Sequence, residues 1–247
     1  MILVLAGTKD GRSLAESLAG MGFSVLASTV SDYGNSFFSG NVKVRAGELD
    51  HDSLQRLLKE KDIQFVIDAT HPFAREISQN AIDVCQSEKI KYIRYERKET
   101  GNHLYTGLIQ VKDFDEAVEK AGSYHSVFLT IGSRNLDRFA ILKNQGRKVI
   151  ARVLPTSEAL KKCQELGFLP RDVIAMEGPF SVGLNYYMFK HYQANVVVTK
   201  DSGPEGGVYE KMKAAAKLHI PVILVERFRL NYPLLVHKTA ELLKEIS

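Results

Sequence analysis

Cysteine is scarce in this chain. There are two, Cys85 and Cys163, far apart and each without a neighbouring partner. That pattern excludes a disulfide framework and a cysteine-rich zinc site, and it points to the cytoplasm as the compartment. Long apolar runs are missing too. None approaches the ~18 residues a membrane helix requires. The opening run Met1-Ile2-Leu3-Val4-Leu5-Ala6 meets Gly7 at once and has no basic flank, so it reads as a strand and not as a signal peptide. Charge of one sign is nowhere concentrated. Lys plus Arg number 33 against 29 Asp plus Glu, a formal +4 spread along the chain. The densest basic stretch, Lys89 to Lys98, alternates charged with apolar residues as a half-buried strand does, so no nucleic-acid partner is expected. The mild positive excess suits a polyanionic small molecule without requiring one. Tandem repeats and low-complexity segments are absent.

What is present is enough apolar residue, 45% of the chain, to bury a core, arranged as short apolar runs between amphipathic stretches. Strands are expected at Ile2–Ala6, Phe23–Ala27, Val42–Arg45, Phe65–Ile67 and Lys91–Tyr95, with helices at Ser13–Met21, around Leu54 to Leu58, and at Ile77–Cys85. The pattern then restarts. Strands follow at Leu104–Val111, Val127–Thr130, Lys148–Val153, Val173–Ala175, Asn195–Thr199 and Pro221–Val225, and helices at Phe114–Ala121, Leu136–Lys143, Ser157–Leu166, Gly183–His191 and Tyr209–Leu218. Strands apolar on both faces and separated by helices mean parallel sheets covered on both sides. The fold expected is therefore α/β, two Rossmann-like parallel-sheet units with a cleft between them. The turn-rich segment Glu99-Thr100-Gly101-Asn102 divides the chain into residues 1–98, the nucleotide-binding unit, and residues 99–247, the substrate side. The final helix, Lys238–Ile246, is compatible with packing on either unit.

Ligands of open α/β sheets bind at the carboxyl ends of the strands. After the first strand come Gly7, Thr8, Lys9 and Arg12, where the N–H groups of a starting helix suit a phosphate; Gly7 and Gly11 match only part of a dinucleotide fingerprint. The second strand ends on hydroxyls, with Ser28 and Ser31, where an NAD-specific unit carries an acid for the ribose. With Arg12 nearby this favours NADPH, while Asp32 keeps NADH open. Asp68-Ala69-Thr70-His71-Pro72 places His71 at a strand end, with Pro72 in the first turn of the next helix and Asp68 available to cap it or orient His71. No histidine at i+4 and no cysteine accompanies His71, so no metal is expected. The densest segment runs from Val198 to Lys211. Lys200, Asp201, Ser202, Gly203, Gly206 and Gly207 there form a nest of N–H donors beside an ammonium, suited to a carboxylate or phosphate. The turns Thr130-Ile131-Gly132-Ser133-Arg134 and Gly178-Pro179-Phe180-Ser181 also follow strands. Tyr186-x-x-x-Lys190 and Tyr209-x-x-x-Lys213 match the Tyr–Lys spacing of short-chain dehydrogenases, but without the upstream serine, and chance accounts for them.

The His-Pro segment Asp68–Ala74 and the Lys-Asp-Ser-Gly segment Thr199–Gly207, with Gly7-Thr8, Arg12, Tyr33-Gly34, the Gly132 turn and Gly178-Pro179-Phe180 in order between and around them, resemble the precorrin-6A reductase family of corrin biosynthesis over nearly the whole chain. The resemblance implies an oxidoreductase that reduces one ring double bond of a tetrapyrrole, precorrin-6A or its cobalt form, with a reduced nicotinamide nucleotide. Hydride goes to one ring carbon and a proton to its neighbour. It implies that Gly7, Thr8, Lys9, Arg12, Ser28, Ser31 and His71 face the nucleotide. Tyr33 and the Lys200–Gly207 segment would face the acetate and propionate carboxylates of the macrocycle. His71, Lys200, Asp201 and water all stay open as proton donor. A short-chain dehydrogenase or epimerase acting on a smaller substrate, which would need Tyr186 and Lys190, and a non-catalytic nucleotide-binding protein are the competing readings. Oligomeric state is left open.

Overall fold

Ile2–Leu5 forms the first strand, β1, buried on both faces as branched apolar residues in the middle of a parallel sheet must be. Its side chains divide by parity. Ile2 and Val4 join Leu14, Leu18, Ile67 and Ile93 on one face; Leu3 and Leu5 join Leu26, Leu54, Leu58 and Val66 on the other. Each such side chain withdrawn from water contributes roughly 1.5–3 kcal/mol, so a one-residue slip would exchange two complete apolar sets.

The computed structural model describes residues 1–30, 38, 42–96, 105–203, 206–228 and 230–246. The chain forms two units, residues 1–99 with 229–247, and residues 100–228. In the first unit β1 is followed by α1 (Lys9–Gly20), β2 (Val25–Thr29), β3 (Lys43–Ala46), α2 (His51–Glu60), β4 (Phe65–Asp68), α3 (Arg75–Glu88) and β5 (Lys91–Tyr95). The second contains β6 (Leu108–Val111), α4 (Phe114–Ala121), β7 (Ser126–Leu129), α5 (Leu136–Asn144), β8 (Lys148–Val153), α6 (Ser157–Glu165), β9 (Val173–Ala175), α7 (Val182–His191), β10 (Val196–Lys200), α8 (Val208–Leu218) and β11 (Val222–Val225). The chain then returns to the first unit with β12 (Leu235–Val236) and α9 (Thr239–Ile246).

Both sheets are six-stranded and parallel. The first has the order β3-β2-β1-β4-β5-β12 and the second β9-β8-β7-β10-β11-β6. Each is the doubly wound order of a dinucleotide-binding fold. They differ in how the sixth strand is supplied. In the second sheet it precedes the other five in the chain. In the first it comes from the far carboxyl-terminal segment, where Val236 and Leu242 enter the core face of Val4 and Ile93. The second unit ends at residue 228, earlier than the expected 247, and the final helix, which the sequence left compatible with either unit, groups with the first. The helices begin where short polar side chains cap them. Thr8 accepts from the Gly11 amide, Asp50 from Ser53, Asp113 from Glu116 and Thr156 from Ala159. The Thr8 cap starts α1 at Lys9, four residues before the expected Ser13, and draws Gly11 inside the helix.

At Gly11 the helix lies so close to the sheet that an added Cβ would stand 2.9 Å from the Ala6 Cα and 3.0 Å from the Ala69 carbonyl oxygen. Gly11→Val is expected to destabilise the protein by about 1–3 kcal/mol through overpacking. Gly20→Ala, where nothing lies within 4 Å, is expected to stabilise it by up to about 1 kcal/mol. Urea midpoints of the two variants check the pair.

Candidate functional site

In a doubly wound sheet the ligand position is the carboxyl edge where the strand order reverses. In the first unit that point lies between β1 and β4, in the second between β7 and β10. The sequence-predicted residues Gly7, Thr8, Lys9 and His71 follow the first pair. Lys200, Asp201, Ser202 and Gly203 end or follow β10, with the Thr130–Gly132 turn beside them.

The first switch point rests on a buried ion pair. Asp68, fully buried, accepts at Oδ1 from Arg94 Nη1 (2.8 Å), the Thr70 hydroxyl (2.6 Å) and the Thr70 amide (3.0 Å), and at Oδ2 from the Tyr92 hydroxyl (2.7 Å). Arg94, 1% exposed, also donates through Nη2 to the Thr70 carbonyl (3.1 Å) and through Nε to Glu96 (3.2 Å). Burial alone would raise the Asp68 carboxyl, but Arg94 and the hydroxyls of Ser78, Thr70 and Tyr92 outweigh it and hold the group below the ordinary carboxylate range. Asp68 is thus committed to Arg94, Tyr92 and Thr70, and it does not orient His71. The His71 ring is positioned from the other side, its Nδ1 accepting from the Phe73 amide at 3.1 Å, which leaves the proton of the neutral ring on Nε2. Pro72 precedes the helix instead of entering it, because Ala74 occupies the N-cap of α3 and Ala74 N donates to the His71 carbonyl. The Thr8 hydroxyl is likewise spent on structure, accepting from Gly11 and donating to the Ala69 carbonyl at 3.0 Å. The Thr8 side chain thus holds the start of the helix.

At the end of β2, Ser28 is 8% exposed and its Oγ accepts from Arg45 Nη1 at 3.0 Å; the same nitrogen donates to the Gly47 carbonyl at 3.0 Å. Ser28 and Arg45 are register partners across β2 and β3. Arg45 is a functional candidate that sequence reasoning missed, since it sits inside an alternating strand with no motif around it. Arg12 lies on α1, partly buried. Ser31 and Tyr33, together with the 99–102 boundary, fall outside the described residues.

In the second unit Lys200 ends β10, and burial, then Arg134, pushes its ammonium down to about 8. The Asp201 carboxylate accepts from the Gly203 amide (3.3 Å) and pairs with Arg227 Nε (3.4 Å), so it shapes the loop. Gly206 passes so close to Ser202 that an added Cβ would fall 1.8 Å from the Ser202 hydroxyl oxygen; only glycine fits there. Gly207 is the N-cap of α8, and a Cβ on it would reach Pro179 at 3.9 Å. The Gly178–Ser181 turn and the Lys200–Gly207 segment are therefore neighbours. Two further residues lie beneath them, Arg152, which had no sequence signal, and Lys211, the last residue of the glycine-rich segment, which was not singled out. Arg152 is 6% exposed, stacks 4.2 Å over Phe180 and donates to Asn185 Oδ1 at 2.8 Å. Lys211, 6% exposed, donates to the Gly206 carbonyl (2.7 Å) and to Thr199 Oγ1 (3.3 Å). In the two Tyr–Lys pairs each lysine lies over its tyrosine ring, at 5.8 Å for Lys190 on Tyr186 and 5.5 Å for Lys213 on Tyr209. These are i,i+4 contacts along α7 and α8. Among the described residues no group of three or more His, Cys, Asp or Glu is placed to hold a metal, and no helix is long and apolar enough to cross a membrane.

Two doubly wound sheets, each with donors gathered at its switch point, define an α/β enzyme of the dinucleotide-binding class. The model of the precorrin-6x reductase CbiJ/CobK family matches residues 1–247, and the chain belongs to that family. It is 40% identical over 254 residues to the cobalt-precorrin-6A reductase of Methanocaldococcus jannaschii, covering 100% of this chain and 98% of that protein. It is 36% identical over 236 residues to the cobalt-precorrin-6A reductase of Priestia megaterium, covering 94% and 92%. A solved structure described as CobK precorrin-6A reductase superposes with a TM-score of 0.82 at 26% identity, over 99% of this chain and 95% of that one.

Removing one member of the buried pair leaves the other charged and unmatched. Asp68→Ala is expected to cost about 3–5 kcal/mol in chemical denaturation. In the native protein the Asp68 contribution is present above the unfolded carboxyl pKa and is lost as pH falls through the lower folded value. Between about pH 5 and pH 2 the stability of Asp68→Ala should therefore decline less steeply than that of the parent.

Proposed function

We propose that the chain reduces one ring double bond of cobalt-precorrin-6A, giving cobalt-precorrin-6B, with NADPH as reductant in cobalamin biosynthesis. The observation that carries this is the match of the reductase family over residues 1–247, joined to two switch points whose donors suit anions. The cobalt form is favoured because both relatives described above carry that name.

The residues of the first unit fit a dinucleotide. A Cβ on Gly7 would meet only the Thr70 Cα, at 3.9 Å, so no packing demand accounts for this glycine, whereas a close-approaching phosphate does. Gly7 and the first turn of α1, held by the Thr8 cap, would receive the phosphates. Ser28 and Arg45 would receive the ribose 2′-phosphate, with Arg12 the competing cation. When bound, the nucleotide supplies the hydride. The chain's own groups bind and orient. His71, three residues beyond the end of β4, would stand at the same edge. In the second unit Lys200 and the Gly203, Gly206 and Gly207 backbone would hold carboxylates of the macrocycle. Asp201 and Ser202 keep that loop in shape.

NADPH oxidation in the presence of cobalt-precorrin-6A, and its absence without the tetrapyrrole, is the primary test. Arg45→Ala is expected to raise the KM for NADPH ten- to a hundredfold while leaving that for NADH nearly unchanged, the scale of a lost charge-assisted contact of roughly 1.5–3 kcal/mol. The same selectivity found for Arg12→Ala alone would transfer the role to α1. Lys200→Ala is expected to raise the KM for the tetrapyrrole by a similar factor with NADPH binding intact. The opposite split would assign the two units the other way round.

A further inference from the structure

Arg152 and Lys211 are both about as buried as the Asp68–Arg94 pair of the other unit, yet they are solvated differently. Every hydrogen-bond acceptor of their cationic groups among the described residues is neutral: Asn185 Oδ1 and, weakly at 4.0 Å, Met188 Sδ for Arg152, the Gly206 carbonyl and Thr199 Oγ1 for Lys211. Asn185, itself fully buried, spends its amide on the Phe180 and Ser181 carbonyls (3.1 and 3.0 Å) and brings no charge. A buried cation without a counter-charge is costly. Arg152 on β8 and Lys211 on α8 meet on one face of this sheet with no carboxylate hydrogen-bonded to either among the described residues: Arg152 follows Ile150 by two residues, Thr199, which accepts from Lys211, follows Val197 by two on β10, and Ile150 and Val197 share a core cluster, while Glu210 attracts the Lys211 ammonium without a hydrogen bond to it. Above them meet the two loops joined at Pro179 and Gly207.

We propose that Arg152 and Lys211 form the inner wall of a carboxylate-binding subsite beneath the Gly178–Ser181 and Gly206–Gly207 loops. It takes an acetate or propionate arm of the tetrapyrrole, an assignment of the arm that rests on the reductase reading. Binding is coupled to a proton. Burial, then Arg152 and Lys200, push the Lys211 ammonium down to about 7 against the opposing pull of Glu210, and an arriving carboxylate raises it again. Affinity for the anion therefore falls as pH rises through the free value, with Lys200 adding a second limb near 8.

The parent protein is titrated with propionate, which stays fully ionised across the range, and with sulfate as a stand-in for a nucleotide phosphate. Thermal midpoint is followed at about pH 6 and about pH 8. The propionate dissociation constant is expected to rise about tenfold between the two, and propionate is expected not to compete with NADPH. A flat profile overturns the proposal. Competition of propionate and sulfate with NADPH overturns it by making this a nucleotide phosphate site. Lys211→Met is expected to keep or raise the thermal midpoint, to lose propionate stabilisation, and to lower kcat/KM for cobalt-precorrin-6A ten- to a hundredfold with NADPH affinity unchanged; Lys211→Arg should bind propionate without the limb near 7. A Lys211→Met protein that unfolds more easily but responds to propionate like the parent shows a loop staple only. Failure of the parent to reduce the tetrapyrrole sinks the reductase reading, while the propionate titration still decides whether the subsite exists.

Discussion

An arginine buried among strands has to be satisfied at every nitrogen, and in the first unit that requirement organises the site. Arg94 is the register partner of Asp68 across β4 and β5. Its side chain reaches past the strand end to the Thr70 hydroxyl and carbonyl, its amide donates to the Leu234 carbonyl of the returning segment, and Tyr232 lies 5.4 Å from its guanidinium. One residue thus fixes the end of β4, the loop that carries His71 and the entry of the carboxyl-terminal segment into the sheet. Cys85, packed nearby, has its thiol pushed up to about 12 by burial and by Asp68, so it is an inert filler of this core.

The second unit repeats the strand order and reverses the charge arithmetic. Where the first switch point is closed by the Asp68–Arg94 pair, the second has the Asp201–Arg227 pair in its loop and, beneath it, Arg152 and Lys211 hydrogen-bonded to neutral acceptors. Matching gives rigidity, whereas incomplete matching leaves attraction for an anion. The two sheets, alike in topology, thus differ at their switch points: a helix start with an open glycine in one, and buried cations under two glycine-bearing loops in the other.

Strand and helix positions were largely legible because parallel strands buried on both faces write themselves as unbroken apolar runs. Lys91–Tyr95, Phe114–Ala121, Lys148–Val153 and Val173–Ala175 are observed with the boundaries their patterns predict. β12 was not legible. A two-residue strand of Leu235 and Val236 has no period, and its membership in the first sheet follows from a contact with Arg94 that no local pattern announces. The glycine-bearing loops could be read because glycine at a strand end is locally conspicuous. Arg45 and Arg152 could not, since each occupies an ordinary strand position and acquires its meaning from its surroundings, and Lys211, although it ends the conspicuous segment, acquires its own from burial. The sequence also suggested that Asp68 serves His71 because the two are close in the chain, whereas the fold gives Asp68 stronger partners on the neighbouring strand.

The return of the chain to its first sheet has a consequence for biogenesis. On the ribosome, β1 to β5 emerge early, but the strand that covers the β5 edge is translated last, after the whole second unit. At roughly 5–20 residues per second that interval is on the order of ten seconds. For its duration the nascent first unit shows a bare strand edge and an apolar face without the α9 residues Leu242 and Ile246, the condition under which sheets pair with strangers. The second unit has the opposite order. Its edge strand β6 is made first and waits for β11, which pairs with it in register from Leu108 to Val111. The later unit can therefore close its sheet before the earlier one does, and nascent chains of this protein are most vulnerable to aggregation at the β5 edge.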